Sequence, residues 1–218
     1  MTALAVFVKT PRLSPLKTRL ASTIGKEKAE LFYQISCQWT EEVMKKLRAE
    51  IPIEAYWAVA EKEAIHTKYW KSLPTVFQGE GDLGQRLAHV YDELYKKYGS
   101  CVVLGADSPE LSLEHLLDGV REFLAPEGPE FILGKTVDGG FYALGGKIAL
   151  PQELWTDVSY SQATTAEEIE KKLIEFGTVK HLPLCADVDT FEDLKDVMAR
   201  LKNLNSEKYS TLLSLKLI

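Results

Sequence analysis

The sequence is poor in several things, and each shortage excludes something. It has three cysteines, Cys37, Cys101 and Cys185, an odd number at wide spacing, two of them in apolar company in "CVVLG" and "LPLC". Neither a disulfide framework nor a zinc site has the spacing it needs, and reduced, buried thiols are expected. No apolar run approaches the roughly 18 residues that would cross a bilayer. The N-terminus lacks a charged segment followed by a long apolar one and a small-residue cleavage site, so a cytoplasmic protein without a membrane span is expected. Basic residues are outnumbered, 26 against 32 acidic ones, for a net charge of −6. Binding a polyanion without base specificity depends on a basic surface that releases counterions, so nucleic acid is not an expected partner. Internal repeats, low-complexity linkers and a clear domain break are also missing. At 218 residues, 45% of them hydrophobic, the chain can bury one substantial core, and residues 1–218 read as a single domain.

What the chain does have is alternation. Short runs rich in strand formers occur at 3–8, 53–59, 101–105, 130–134, 141–146 and 179–184. Between them, apolar residues at helical spacing predict helices over 26–50, 61–71, 82–98, 113–124, 164–176 and 191–201. Strand and helix in turn predict a three-layer α/β/α fold with a mainly parallel sheet, whose ligand sites gather at the carboxyl ends of the strands. The last segment, "NSEKYSTLLSLKLI", is apolar enough either to close this chain's own core or to pair with a neighbouring copy in a homo-oligomer.

Polar loops follow the strands. "KTPRLSPLKTRL" (9–20) places Lys9, Arg12, Lys17 and Arg19 after the first strand, with Thr10 and Thr18 as further donors. Four cations in an acidic protein suit a chain of phosphates, and a solvated loop is the plainer alternative. The glycines of a Walker A loop are absent, so phosphates are not held in that manner. "LGADSPEL" (104–111) puts Asp107 just past an apolar strand, where it can either bind a hard cation or help cap a helix. "KTVDGGFYALGG" (135–146) is a hairpin signal whose Asp138, Gly139 and Gly140 also allow close backbone approach to a ligand. In "ADVDTFEDL" (186–194), Asp187 and Asp189 precede a helix; Thr190 or Asp189 caps it, with Asp193 helping in its first turn, or Asp189 completes a metal site begun by Asp107. "QGEGDLGQRL" (78–87), with Gly84 and Arg86, leads glycines into a helix N-terminus, a place for an anion, the edge of a base, or simply a turn.

Five of these stretches, in this order and across most of the chain, resemble the DUF2064 family, also called the radical-SAM and selenodomain-associated transferase 1 family: "KTPRLSPLKTRLAS", "GDLGQRL", "LGADSPEL", "VDGGFYALGG" and "DVDTFEDL". The resemblance implies a fold of the nucleotide-diphospho-sugar transferase (GT-A) type. It implies that Lys17 and Arg19 meet nucleotide phosphates, that Asp107 takes the metal-binding aspartate's position and that Asp189 is its second ligand. The chain departs from the family where a Gly-Pro-Ala run usually precedes Asp-Gly-Gly. Here it reads Gly134, Lys135, Thr136, which adds a charge on the acceptor side.

The expected activity is transfer from a nucleotide-activated donor with a divalent cation, magnesium or manganese: glycosyl transfer from a nucleotide sugar to a small-molecule acceptor first, nucleotidyl transfer from an NTP with release of pyrophosphate second, a non-catalytic nucleotide-binding subunit third. Asp107 and Asp138 are the expected catalytic residues. Lys9, Arg12, Lys17, Thr18, Arg19, Gly84 and Arg86 are expected on the nucleotide, and Gly139 and Gly140 on the acceptor.

Overall fold

Strand β1, Thr2–Val8, contains only one polar residue, its first, and it is buried on both faces. Leu4, Val6 and Val8 point into one apolar cluster, Ala3 and Ala5 into another. A strand of this kind belongs at the centre of a covered sheet. The computed structural model describes residues 1–217, and it places β1 in the interior of a seven-stranded sheet with β2 (Ile53–Val59), β3 (Thr75–Phe77), β4 (Cys101–Gly105), β5 (Phe131–Lys135), β6 (Phe141–Gly146) and β7 (Val179–His181). The order is β3-β2-β1-β4-β6-β5-β7. All pairs are parallel except those of β6, which runs antiparallel to both β4 and β5.

Helices cover both faces, as the alternating pattern requires. On the side of Leu4 and Val6 lie α2 (Lys26–Glu50) and α4 (Leu113–Leu124); on the side of Ala3 and Ala5 lie α3 (Leu83–Tyr98), α5 (Gln152–Thr156) and α6 (Thr165–Leu173). Three more helices, α1 (Thr18–Ile24), α7 (Phe191–Leu204) and α8 (Ser206–Ser214), build a third cluster on α2 around Leu20, Phe32, Leu194, Leu201 and Leu212. The fold is the expected three-layer α/β/α type. The tail contributes Leu212 and Leu217 to this chain's own core, and Ile218 lies outside the described residues.

Two expectations need correction. Residues 61–71 form no continuous helix but two short 3-10 turns, Lys62–Ala64 and Lys68–Trp70. Tertiary anchors override the helical spacing: the Trp70 indole donates to Thr10 Oγ1 at 2.9 Å, and Thr67 Oγ1 donates to the Ala64 carbonyl at 2.8 Å. The strand expected over 179–184 stops at His181; the Leu182 amide still donates to the Leu133 carbonyl at 2.9 Å, and the chain rejoins the sheet at a bridge between Cys185 and Thr136.

The topology decides where the loops go. From β1 the chain moves outward to β2 and β3, then crosses to β4 on the other side of β1, so the order reverses between β1 and β4. Ligand crevices of open α/β sheets form outside the carboxyl ends of strands at such a reversal. Because β6 is antiparallel, the turn from β5 into β6 falls on this same rim, as does the segment after β7.

Candidate functional site

The rim holds a cleft of about 780 Å³ lined by the ends of β1 and β4, the β5–β6 turn, residues 160–165 and the loop before α7. At its floor lies Lys17, whose side chain is only 4% exposed. Its ammonium is 2.9 Å from Asp107 Oδ1 and 3.0 Å from Asp189 Oδ1. Burial works against this ammonium, but the charges of Asp107 and Asp189 more than offset it and hold its pKa above the ordinary lysine value. Lys17 sits just before α1 in the left-handed region, φ 43° and ψ 47°, which disfavours a residue with a Cβ.

Each loop is fixed by contacts behind it. The amide of Lys9 donates to Tyr33 Oη at 2.8 Å, and that of Thr10 donates to Glu61 Oε2 at 2.8 Å. Ser36 Oγ donates to the Ala106 carbonyl at 2.7 Å, and the Val188 amide donates to the Asp107 carbonyl at 3.1 Å, which ties the two aspartate loops together. Asp193 Oδ2 accepts from the amides of Asp189 and Thr190 while Thr190 Oγ1 accepts from the Asp193 amide, a capping box that starts α7 and sets the loop ahead of it.

The sequence-predicted residues divide into two groups. Lys9, Lys17, Thr18, Arg19, Asp107, Asp138, Gly140 and Asp189 line the cleft together. Arg12, Gly84, Arg86 and Gly139 are not among its lining residues, each for a visible reason. Arg12 turns outward, 90% exposed, toward Glu30. Arg86 Nε donates to the Gly81 carbonyl at 2.9 Å. Gly84 lets α3 approach α5, since a Cβ there would lie 2.5 Å from the Trp155 carbonyl oxygen. Gly139 supports the β5–β6 turn against Ala163. Lys135 bonds to Glu170 Oε2 at 2.6 Å, so the charge it adds is paired away from the cleft.

Two contributors went unselected at the sequence level. Asp187 lines the cleft, and its pKa is pushed up to about 7 by burial first and then by the negative charges of Asp138 and Asp189. Its signal was present: Asp187 and Asp189 flank the fully buried Val188, and in extended backbone alternate residues share a face. The stretch Tyr160, Ser161, Gln162 and Thr165 forms the far wall and carries no motif that would have marked it. Asp138 is held by its own turn, Oδ1 accepting from Thr136 Oγ1 at 2.6 Å and from the Gly140 amide at 3.1 Å.

The donor set around Lys17 suits a hard cation. Asp107 and Asp189 are about half exposed, 46% and 48%, and their oxygens converge on one point. Among the described residues no group of three His, Cys, Asp or Glu side chains is gathered for a metal ion. The chain thus offers two carboxylates, the number used where phosphate oxygens and water complete a magnesium shell.

The sequence pattern of DUF2064, described as uncharacterized proteins conserved in bacteria, matches residues 43–162, more than half of the chain. No curated protein sequence matches significantly. Among solved structures, a provisionally named nucleotide-diphospho-sugar transferase from Desulfovibrio desulfuricans aligns with a TM-score of 0.83 at 23% identity, covering 98% of this chain and 94% of that one. The 4-diphosphocytidyl-2C-methyl-D-erythritol synthase of Anaerococcus prevotii aligns at 0.59 and 12% identity, covering 93% and 96%. CMP:2-keto-3-deoxy-manno-octonic acid synthetase, complexed with CTP, aligns at 0.55 and 11% identity, covering 93% and 99%. These likenesses establish the fold.

Proposed function

The chain belongs to the DUF2064 family, and from that premise we propose that it is a transferase drawing on a nucleotide-activated donor, moving a glycosyl group from a nucleotide sugar to a small-molecule acceptor with magnesium or manganese. The observation that carries this reading is the single ammonium, Lys17, shared by two carboxylates from separate strand ends at the reversal point of the sheet. Lys17 and Arg19, with Thr18 and Lys9 beside them, meet the diphosphate. A divalent cation held by Asp107 and Asp189 would supply neutralisation of the charge on the departing phosphates.

Ahead of Leu16 the backbone amides of the β1 loop are largely committed: Lys9 to Tyr33, Thr10 to Glu61, Leu13 and Ser14 to the Thr10 carbonyl, while Pro11 and Pro15 have none. Phosphate contacts in that stretch therefore fall to side chains, whichever nucleotide donor is bound. In the transfer, the acceptor hydroxyl oxygen forms a bond to the sugar carbon and the bond from that carbon to the diphosphate oxygen breaks. The electron pair leaves with the diphosphate, and Asp138 or Asp187 receives the hydroxyl proton. Apart from Lys9, Lys17 and Arg19 of the β1 loop, the cleft lining, which includes Thr136, Asp138, Gly140, Tyr142, Gln162 and Asp187, contains no Lys, Arg or His among the described residues. A neutral or cationic hydroxyl compound fits it better than a phosphorylated one.

Nucleotidyl transfer is the second reading, supported by the fold shared with the two cytidylyl enzymes above. Both readings require the basic loop to bind phosphate. Arg19 is exposed, so Arg19→Ala should leave the melting temperature nearly unchanged, as surface substitutions generally do. A lost charge-assisted bond of about 1.5–3 kcal/mol should weaken nucleoside diphosphate binding about tenfold or more. Calorimetric titration of UDP and GDP into both proteins checks this, and unaltered affinity would return the loop to a solvated role.

A further inference from the structure

Lys17 has more to do than meet phosphates. Its ammonium lies 2.9 and 3.0 Å from the two carboxylate oxygens to which a divalent cation would bind. A magnesium ion held by these two carboxylates would compete with Nζ for the same oxygens, and two neighbouring cations would repel one another. We propose that Lys17 sets the order of binding: it closes the cation position of the nucleotide-free protein, and nucleotide phosphates open that position by drawing the ammonium away. The proposal rests on the reading of Asp107 and Asp189 as the cation's ligands.

Three features support it. The side chain of Lys17 is almost completely covered, so its ammonium has little water to retreat to and its two carboxylate partners serve as its counter-charge. Lys17 holds a left-handed backbone while its carbonyl accepts from the Ala21 amide at 2.7 Å and its side chain ends in the two ion pairs, so both ends of the residue are anchored. Lys17 nevertheless borders the cleft, where Lys9, Thr18 and Arg19 stand beside it, so a phosphate bound among them lies within reach of a rotamer change. One positive charge between two negative ones leaves the group at −1. A diphosphate that takes the ammonium strips both carboxylates of their partner just as it brings its own oxygens to complete a metal shell. Nucleotide and metal then favour one another's binding reciprocally.

The test is manganese binding without nucleotide, read by loss of the free Mn²⁺ signal in electron paramagnetic resonance and by calorimetry. Wild type, Lys17→Met, Lys17→Gln and the double variant Lys17→Met with Asp107→Asn are compared after circular dichroism has shown each to be folded. The expected result is one manganese site in Lys17→Met at least tenfold tighter than any in wild type, lost in the double variant. Wild type should acquire that affinity when saturated with UDP or GDP. Free manganese binding to wild type as tightly as to Lys17→Met would overturn the proposal, and so would the absence of any gain in both Lys17 variants. Should neither variant fold, wild type decides alone: a tight nucleotide-free site that Asp107→Asn abolishes is incompatible with a closed position. Failure here is separable from failure of the transferase reading. Nucleotide binding with no gain of metal in the variants removes only the lock, whereas a gain of metal in the variants without nucleotide binding leaves Lys17 as the closing group but removes both its opening by nucleotide and the donor.

Discussion

Gly139 shows how much of the cleft depends on single residues outside its lining. Its φ is +90°, and a Cβ built there would lie 1.9 Å from the Ala163 carbonyl oxygen, within the backbone of the opposite wall. Gly99, the left-handed C-cap of α3, has φ +75° but nothing within 4 Å of the same point. Gly99→Ala should therefore cost only the left-handed penalty, about 1–2 kcal/mol. Gly139→Ala adds a backbone collision and should cost about 3 kcal/mol or more. Urea unfolding of the two variants measures the difference, and equal losses would mean that the β5–β6 turn yields freely. At this scale the sequence was partly legible. Aspartates just after apolar strands announce themselves, and Asp107, Asp138 and Asp189 do reach the cleft. Glycines do not reveal whether they face a ligand or a neighbouring carbonyl, which is why Gly84 and Gly139 read as ligand contacts.

Among the elements, α7 and α8 act on the site without lining it. Lys208 of α8 donates to the carbonyls of Pro109 and Leu111 at 2.7 and 2.9 Å with the Trp39 ring 5.1 Å away, and Arg200 of α7 pairs with Glu110. Together they strap down the loop that begins with Asp107. The sequence shows the tail as apolar, fit to close this chain's own core or to meet a neighbouring copy; Leu212 and Leu217 join this chain's core, but no local pattern shows where Lys208 goes. Burial lowers the Lys208 pKa from 10.5 to about 8, against the opposing pull of Cys185, Glu42 and Glu110. The folded pKa is below the unfolded one, so the unfolded chain binds more protons between pH 8 and 10.5, and the stability due to this residue rises with pH across that window. Below pH 8 the cost of the buried charge is present in full. Chemical unfolding of wild type and Lys208→Met from pH 7 to 10 should show the difference shifting in favour of wild type as pH rises, and parallel curves would contradict the assignment. The 61–71 stretch teaches the converse lesson. Its helical spacing is real, but Trp70 is claimed by Thr10 of the β1 loop, a partner that no local pattern can anticipate.

Over the whole molecule, the layered fold follows from buried runs alternating with amphipathic ones, and that alternation is written locally. The site is not. Lys17 and Asp189 are 172 residues apart in sequence and meet only because the sheet reverses between β1 and β4 and the segment after β7 returns to the same rim. Taken singly the loops are a cation-rich stretch and several aspartates, and the sheet turns them into one ammonium held by two carboxylates. This constellation, in the function proposed above, receives a diphosphate leaving group. The most direct test is to incubate the protein with manganese or magnesium, a panel of nucleotide sugars, a panel of NTPs and pools of neutral hydroxyl acceptors, and to assay nucleoside diphosphate and pyrophosphate together. Glycosyl transfer requires nucleoside diphosphate released from at least one nucleotide sugar, lost in Asp107→Asn, with no pyrophosphate from any NTP. Pyrophosphate that depends on Asp107, with no nucleoside diphosphate from any sugar donor, would contradict it.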